Sequence, residues 1–369
     1  MADRIRVVLL FGGTSSEHSI SCATASGVLG ALDRDRFEVI PVGITRGGAM
    51  TLQADDASAL ALDAAALPEV ADNGTRVRWP EDASSRELRV RDAEGGERSL
   101  GRVDVVFPIL HGTQGEDGTV QGMLELAGLP YVGSGVLASA LGMDKHFAKT
   151  VLRDAGIAVA PWTTVSRREW EADPEAVRAR AAGLALPAFV KPARAGSSVG
   201  VSRVAEVGEL DAALATAFRE DDRVLVEAGL VGREVECAIL DGGPGAAPRA
   251  SVAGEIVVSG RAFYDFEAKY LGADGIELVC PADMTAAQLA EMQELSIRAF
   301  RAVDARGLAR VDFFLTADGF VLNEINTMPG FTPISMFPAC WAASGVAYPD
   351  LISELLDVAL AWEAEGRRA

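Results

Sequence analysis

The sequence is poor in the residues that build disulfide frameworks and zinc sites, with three histidines and four cysteines among 369 residues. It contains no Cys-x-x-Cys pair, and the cysteines are scattered at Cys22, Cys237, Cys280 and Cys340. This scatter argues against structural disulfides and against a structural zinc ion. We therefore expect a protein of a reducing compartment, the cytoplasm.

Long apolar runs and an excess of positive charge are also missing. No run approaches the ~20 apolar residues that span a bilayer, and the short run 7–11 is better interpreted as a buried first strand than as a signal segment. Lys and Arg total 34 against 53 Asp and Glu, a net charge of −19. Such a surface repels phosphate backbones and anionic lipid, so we expect no nucleic-acid and no membrane partner.

The first 135 residues have the pattern of a parallel α/β sheet. Apolar, β-branched runs at 5–11, 37–44 and 103–110 alternate with helical segments at 19–32 and 119–127. Between 46 and 102 the composition changes to Ala, Asp, Glu and Arg. We predict a peripheral insertion there, with a short helix, exposed strands and no chemistry.

The rest of the chain has the pattern of two α+β units. The predicted helices cover 139–155, 209–218, 284–303 and 349–362, and the predicted strands cover 162–165, 188–191, 199–204, 224–227, 234–240 and 252–256. Residues 310–315 and 320–325 are predicted to form a hairpin. We therefore expect three domains, at 1–135, 136–230 and 231–369.

Phosphate binding has one good candidate loop. The chain has no Gly-Lys dipeptide, which excludes a Walker A loop, and Gly133-Ser-Gly-Val-Leu-Ala138 lacks the acidic strand end of a dinucleotide site. Lys191 precedes a loop of small residues that includes Ser197 and Ser198, and such a loop can surround phosphate groups with N–H groups. An ordinary hairpin turn is an equal alternative. Lys145, on the preceding helix, could face this loop or solvent.

A metal site is predicted on the hairpin. Glu324 and Asn326 are two residues apart and share a strand face, and Asp312 can lie opposite or diagonal to Glu324. Carboxylate and amide oxygens without thiol or imidazole suit Mg²⁺ or Mn²⁺. A solvated acidic face is the alternative, but the flanking residues are apolar: Phe313, Phe314, Leu322 and Ile325.

Seven motifs follow one another along the chain, and each is weak alone. They are Gly12-Gly-Thr-Ser-Ser-Glu-His-Ser-Ile-Ser21, His111-Gly-x-x-Gly-Glu-Asp-Gly-x-x-Gln-Gly122, Gly133-Ser-Gly-x-x-Ala-Ser-Ala140, Met143-Asp-Lys145, Lys191-Pro with Gly196-Ser-Ser-Val-Gly200, Tyr264-Asp-x-Glu-Ala-Lys-Tyr270 and Asn323-Glu-Ile-Asn-Thr-x-Pro-Gly330. Together, outside the insertion, they resemble the D-alanine–D-alanine ligases. This resemblance implies the three-domain ATP-grasp architecture, α/β and α+β, with a Rossmann-like N-terminal domain.

The resemblance also implies a reaction for peptidoglycan synthesis. The carboxylate of a first D-alanine attacks the γ-phosphate of ATP, and the amine of a second D-alanine attacks the resulting acyl phosphate. Two Mg²⁺ or Mn²⁺ ions per subunit would be bound by Asp312, Glu324 and Asn326. The residues implied for ATP are Lys145, Lys191, Ser197, Ser198, Glu227, Leu230, Glu234 and Lys269. A homodimer through the N-terminal domain is also implied.

The resemblance assigns the remaining roles around the two D-alanines. Glu17 would bind the ammonium of the first, where Gly12 and Gly13 let the backbone come close, although an acidic helix start is an alternative role for Glu17. Ser197 and Tyr270 would link Glu17 to two covering loops.

Four further residues complete the implied site. Arg310 would stabilise the tetrahedral oxyanion. Ser335, beyond Gly330, would bind the carboxylate of the second D-alanine. His111 would lie in the substrate pocket, and His18, with weaker support, would lie there too.

Three alternatives to this function stay open at this point. Tyr270 argues against D-lactate as second substrate, whereas D-serine differs from D-alanine by one hydroxyl and the sequence discriminates it poorly. A non-catalytic nucleotide sensor should have lost Arg310 or a metal ligand, and none is lost. A nicotinamide oxidoreductase would depend on the 133–138 string alone.

Overall fold

The first sheet is built by the N-terminal part of the chain. A computed structural model describes residues 4–63, 66–258 and 275–366. Its first elements are β1 (Ile5–Gly12), α1 (His18–Ala31), β2 (Phe37–Ile44), β3 (Met50–Leu52), β4 (Arg76–Arg78), β5 (Glu87–Arg91), β6 (Glu97–Arg102), β7 (Val105–Pro108) and α2 (Thr119–Leu126). The strand order is β3-β2-β1-β7, with β1 parallel to both β2 and β7. The predicted parallel α/β sheet is confirmed.

The insertion forms a small sheet of its own. Strands β4, β5 and β6 pair antiparallel in that order, and a short 3₁₀ helix covers Ala57–Leu60. Most of its arginines and acids form exposed ion pairs, for example Arg89 with Glu97. The predicted short helix is confirmed, whereas the strands are exposed only in part, because Leu88 and Val90 of β5 are buried.

The central elements form a second sheet. They are α3 (Val136–Met143), α4 (Lys145–Asp154), β8 (Trp162–Ser166), α5 (Arg167–Ala172), α6 (Pro174–Ala181), β9 (Ala188–Pro192), β10 (Ser202–Val204), α7 (Leu210–Ala217) and β11 (Arg223–Ala228). The strand order is β10-β9-β11-β8, with every pairing antiparallel. Helices α5 and α6 were not predicted.

Two predictions for this region are wrong in detail. The single helix at 139–155 is two helices, because Asp144 is extended and its carboxylate accepts hydrogen bonds from the N–H groups of His146 and Phe147, which caps α4. The strand predicted at 199–204 begins only at Ser202, because Gly200 has a φ of 71°, outside the extended region.

The C-terminal elements form the third large sheet. They are β12 (Arg233–Leu240), β13 (Arg249–Val258), β14 (Ile276–Val279), α8 (Ala286–Ala302), β15 (Leu308–Thr316), β16 (Gly319–Asn326), α9 (Met336–Ala343) and α10 (Tyr348–Ala364). The order β14-β13-β12-β15-β16 is antiparallel throughout, and the predicted hairpin is confirmed. Helix α9 was not predicted.

A bulge in this hairpin decides which side chains face the same way. Asp312 pairs with Glu324, but the next residue, Phe313, pairs with Leu322, so Asn323 is the extra residue. The bulge therefore lets Glu324 lie beside Asp312, whereas Leu322 packs with Phe313 in the apolar cluster on the opposite face. Helix α8 also packs into this apolar cluster, which holds the hairpin in place.

A second apolar cluster joins the two ends of the chain. Phe107 of β7 meets Phe331 edge to face, with ring centroids 5.8 Å apart, and Phe337 of α9 lies against Phe331. The first sheet and helices α9 and α10 therefore share one core. Within the three described ranges, no helix combines the length and the apolarity needed to cross a bilayer.

Candidate active site

A cavity of about 320 Å³ lies between the second and third large sheets. We call it the central cavity. It brings together ten of the residues predicted for a site: Lys145, Lys191, Ser197, Ser198, Glu227, Leu230, Glu234, Arg310, Asp312 and Glu324. Its volume is in the range of small-molecule sites, and charged residues of both signs line it.

The loop after β9 is held over this cavity by a lysine. The backbone N–H of Lys145 donates to the carbonyl oxygen of Ala193 over 3.0 Å, and its Nζ donates to that of Ala195 over 2.6 Å. Ser197 and Ser198 have φ angles of 49° and 60°, a conformation that non-glycine residues adopt only where surrounding contacts enforce it. The loop is thus a built feature and not the ordinary hairpin turn of the alternative.

The same loop has the spacing of a hydrolase nucleophile elbow, with Ser198 at the centre of Gly196-Ser-Ser-Val-Gly200. An elbow requires a sharp turn from a strand into a helix. Here the loop runs from β9 to β10, two antiparallel strands. The structural context therefore excludes a nucleophile elbow at Ser198.

Two lysines share one buried glutamate in the cavity. Lys191 Nζ lies 2.9 Å from Glu227 Oε1, and Lys149 Nζ lies 2.9 Å from Glu227 Oε2. Burial alone would raise the pKa of the Glu227 carboxyl, but the two ammonium groups outweigh it and lower that pKa to about 2. Burial lowers the pKa of Lys149, whereas for Lys191 the attraction of Glu227 outweighs burial and raises the pKa.

The sequence analysis missed Lys149, although one signal could have found it. The 34 basic residues include only four lysines, namely Lys145, Lys149, Lys191 and Lys269. The first three line the central cavity, and Lys149 is only 2% exposed. Because nearly all basic residues of this chain are arginines, each of the few lysines is a candidate for a site that needs a compact ammonium group.

Three carboxylates lie side by side across the third large sheet. Glu236 of β12 pairs with Asp312 of β15, which pairs with Glu324 of β16. We call these three residues the carboxylate row. Adjacent like charges repel on a half-buried surface, so the row requires a cation. Glu236, which the sequence analysis did not select, shares its strand face with Glu234.

Arg310 supplies one positive charge to this row. Its Nε donates to Asp312 Oδ1 over 2.7 Å and its Nη2 donates to Asp312 Oδ2 over 2.8 Å, while Nε also lies 3.0 Å from Glu236 Oε2. Burial opposes the charged form, but Asp312 and Glu236 outweigh it and raise the pKa of the guanidinium. The bidentate geometry fixes the orientation of the guanidinium plane.

The predicted metal ligands do lie together. Asn326 Nδ2 donates to Asp312 Oδ2 over 2.9 Å, and Asp312 lies directly opposite Glu324. Among the residues that the structure describes, no group of three His, Cys, Asp or Glu side chains is arranged to hold a metal ion. The predicted set, in contrast, contains two carboxylates and one amide, all with hard oxygen donors.

Glu17 lies near His111 and Glu116, and we call these three residues the Glu17 cluster; Glu17 connects this cluster to the loop over the central cavity. Ser197 Oγ donates to Glu17 Oε1 over 2.5 Å across 180 positions of sequence. A Cβ atom at Gly112 or at Gly196 would lie 3.1 Å from Glu17 Oε2, so both glycines permit close approach to this carboxylate. Gly12, predicted for that role, instead lies against the carbonyl oxygen of Ile44.

His111 and His18 have different surroundings, and the predicted place of His111 in a substrate pocket stays a prediction. His111 is buried, and burial lowers its pKa although nearby Glu17 acts in the opposite direction. His18 is structural, which corrects its expected place in the pocket. Its Nδ1 lies 2.6 Å from the carbonyl oxygen of Gly13, and its Nε2 accepts from the N–H of Val70 over 3.0 Å.

Of the remaining predicted residues, the structure describes Ser335 but not Lys269 or Tyr270. Ser335 is at the N-cap position of α9, and its side chain makes no capping hydrogen bond to the helix. Its Oγ accepts from the N–H of Thr332 over 3.1 Å and lies beside Gly330. Lys269 and Tyr270 fall outside the described residues, so their predicted contacts stay predictions.

Glu116 is a titratable residue near Glu17 that was not predicted from the sequence. The N–H of Gly112 donates to Glu116 Oε2 over 2.6 Å. Burial raises the pKa of the Glu116 carboxyl to about 8, with a further contribution from the charge of Glu17. Its position in the Gly-Glu-Asp-Gly string of a quoted motif was the available signal.

We expect this raised pKa to make stability depend on pH. The folded protein holds the Glu116 proton more tightly than the unfolded chain, so the wild type should lose stability relative to Glu116→Gln as the pH rises from about 4.5 to about 8. The difference in melting temperature between the wild type and Glu116→Gln should change by at least about 2 °C between the two ends of this pH range. Asp117→Asn controls for the loss of a carboxyl group from the same loop. An equal difference in melting temperature at both pH values would contradict the raised pKa of Glu116.

The comparisons with known proteins agree with this geometry. Residues 6–134 match the family model "D-ala D-ala ligase N-terminus", and residues 151–357 match "D-ala D-ala ligase C-terminus". The D-alanine--D-alanine ligase of Paenarthrobacter aurescens is 54% identical over 360 residues, which cover 97% of this chain and 95% of that protein.

Two solved structures have the same fold. The D-alanine-D-alanine ligase from Coxiella burnetii has a TM-score of 0.82 and 35% identity, covering 99% of this chain and 97% of that one. The VanG D-Ala:D-Ser ligase from Enterococcus faecalis has a TM-score of 0.82 and 34% identity, covering 97% of this chain and all of that one. The chain has the ATP-grasp fold of these enzymes and belongs to the D-alanine–D-alanine ligase family.

Proposed function

We propose that this chain joins two D-alanines to form D-alanyl-D-alanine for peptidoglycan precursors, with conversion of ATP to ADP and phosphate. The observation that carries the proposal is the hydrogen bond from Ser197 to Glu17. It connects the loop over the central cavity to Glu17, the residue proposed to bind the first D-alanine. Phosphoryl transfer to a small carboxylate requires two such sites in contact, because the reacting groups must be held in line.

The central cavity is the proposed site of ATP. The ammonium groups of Lys145 and Lys191 would balance phosphate charge, and the N–H groups of the loop at Ser197 and Ser198 would close over it. Glu227, Leu230 and Glu234 would bind the adenine and the ribose. Lys269 is kept as an expected phosphate ligand.

A divalent cation fits the donor set of the third large sheet. Asp312, Glu324 and Asn326 would hold Mg²⁺ or Mn²⁺, two ions per chain, because their donors are hard oxygens. The bound ion would supply charge neutralisation at phosphate oxygens.

The chain's own groups account for the handling of D-alanine. Glu17 would accept hydrogen bonds from the first ammonium group, while the oriented N–H groups of Arg310 would donate to the oxygens of the tetrahedral intermediate. Ser335, beside Gly330, would bind the second carboxylate. His111 would position Glu17 and its surroundings, and Tyr270 keeps its expected place in a covering loop.

The wider organisation is proposed on the same basis. We propose domains at 1–135, 136–230 and 231–369, and each of the three large sheets lies within one of these ranges. A homodimer through the N-terminal domain is supported by an exposed apolar side chain on α2, Leu126 at 85% exposure. The cytoplasm remains the expected location, in keeping with four free thiols.

Lys149 gives a test of the nucleotide pocket. We expect Lys149→Met to raise the KM for ATP about tenfold with a smaller change in kcat, because Glu227 loses one of its two ammonium partners and its orientation. Arg153→Met is the matched control, because Arg153 lies on the same helix over Trp162 and outside the cavity lining. A variant that melts like the wild type and keeps its KM for ATP would contradict this role.

The reaction itself is tested by product analysis. With ATP and Mg²⁺ we expect D-alanine, and not L-alanine, to stimulate release of ADP and phosphate, with D-alanyl-D-alanine identified by mass. Arg310→Lys should reduce kcat by about 10²-fold or more, because lysine cannot reproduce the bidentate guanidinium geometry. This loss would show that the activity belongs to the chain and not to a contaminant.

The same assay separates the second candidate function. The VanG relative acts as a D-Ala:D-Ser ligase, so mixtures of D-alanine with D-serine or D-lactate are included. Preferential formation of D-alanyl-D-serine would move the assignment to that class of ligase. Folded protein that binds ATP but releases no phosphate with any of these substrates would leave a nucleotide sensor and refute the ligase.

A further inference from the structure

Two cysteines that the ligase chemistry does not use lie in contact. Cys280, the first residue after β14, has its Sγ 3.7 Å from the Sγ of Cys340 on α9. They are 60 positions apart in the sequence, and neither stands in a cysteine motif. The other two cysteines, Cys22 and Cys237, are buried on α1 and β12.

The two thiols have different surroundings. Cys280 is half-buried, so a small oxidant can reach it, whereas Cys340 is only 1% exposed. The contact with Cys340 lowers the pKa of Cys280, and the same contact together with burial raises the pKa of Cys340. This asymmetry assigns the attacking thiolate to Cys280 and the resolving thiol to Cys340.

We propose that Cys280 and Cys340 are a modification site that forms a reversible disulfide when the protein meets a peroxide. The Cys280 thiolate attacks one oxygen of hydrogen peroxide and the O–O bond breaks, which gives a sulfenic acid; the leaving hydroxide takes up the proton that the Cys280 thiol had released and becomes one water. The Cys340 sulfur then attacks the sulfenic sulfur, the S–O bond breaks, and the Cys340 proton leaves with the hydroxyl as a second water. Two thiols are oxidised and one peroxide is reduced, and a thiol reductant reverses the bond.

Little movement is required for this bond. The sulfur atoms have to approach by about 1.7 Å to reach disulfide length, a distance that rotation of the half-buried Cys280 side chain can supply. Reversibility fits a protein of a reducing compartment, where disulfides are transient and respond to redox conditions.

The bond would tie an edge strand to a helix of the proposed site. Cys340 lies on α9, with Ser335 at its N-cap position, and β14 is the edge strand of the sheet that carries the carboxylate row. This expectation rests on the proposed function: the cross-link should slow turnover of D-alanine at least about twofold, because it restrains α9 against β14.

Thiol counting on the folded, full-length chain tests the inference. The protein is treated with hydrogen peroxide, the remaining thiols are blocked, and the denatured chain is digested for mass analysis. We expect the four free thiols of the reduced protein to fall to two, with one cross-linked peptide pair that contains Cys280 and Cys340. Dithiothreitol should restore all four thiols and the turnover.

Variants distinguish this pair from general oxidation. Cys280→Ala should show no cross-link and keep its turnover in peroxide, and because Cys280 is half-buried this variant should fold. Cys340→Ala should instead carry Cys280 to sulfinic acid, because its resolving thiol is gone. Cys22→Ala, a buried cysteine of the first sheet's helix, is the matched control and should still lose two thiols.

Several outcomes would overturn the inference. Four thiols after peroxide, or a cross-link that joins Cys237 to Cys340, would refute the pair. Cross-linked protein with unchanged turnover would refute the regulatory consequence. Failure of the proposed ligase function would appear separately, as inactivity of the fully reduced protein whose thiols still pair.

Discussion

The constraint on which the site depends is the placement of three carboxylates next to one another across neighbouring strands. Glu236, Asp312 and Glu324 are held in register because the opposite face of β12, β15 and β16 packs into an apolar cluster. Hairpin register cannot slip without turning that apolar face to solvent. Arg310 balances part of the charge through two hydrogen bonds to Asp312. The hard oxygen donors of Asp312, Glu324 and Asn326 on this face are the basis of the proposed divalent-cation site.

The lysines of the central cavity are arranged around a single acid. One carboxylate, Glu227, serves two ammonium groups, of which Lys149 is buried and Lys191 is partly exposed. Buried ion pairs of this kind are weak sources of stability, because desolvation offsets most of the attraction. They do fix geometry, and a nucleotide in the central cavity would meet charged groups that are already oriented.

The elements with strong periodicity were predictable from the sequence, and long-range contacts were not. The parallel first sheet follows from continuous apolar runs that alternate with helical segments, and the hairpin follows from two strand-like runs joined by a short turn. Asp312 opposite Glu324 was one of two registers considered. The break at Asp144 was missed because a capping aspartate inside an otherwise helical pattern looks like an ordinary polar residue. The contact of Glu17 with Ser197 spans 180 positions, and the family resemblance was the only indication of it. Lys149 lay within a predicted helix, where a single lysine is usually solvated.

The central claim is that Asp312, Glu324 and Asn326 form the divalent-cation site, and Mn²⁺ binding tests it most directly. Electron paramagnetic resonance would measure free Mn²⁺ in a titration of the chain with a non-hydrolysable ATP analogue. The account predicts two Mn²⁺ per wild-type chain and at least about tenfold weaker binding for Glu324→Gln, as expected when a carboxylate ligand is lost. Glu255→Gln, on β13 and paired with Arg233, should bind like the wild type. Wild-type Mn²⁺ binding by Glu324→Gln would contradict the account.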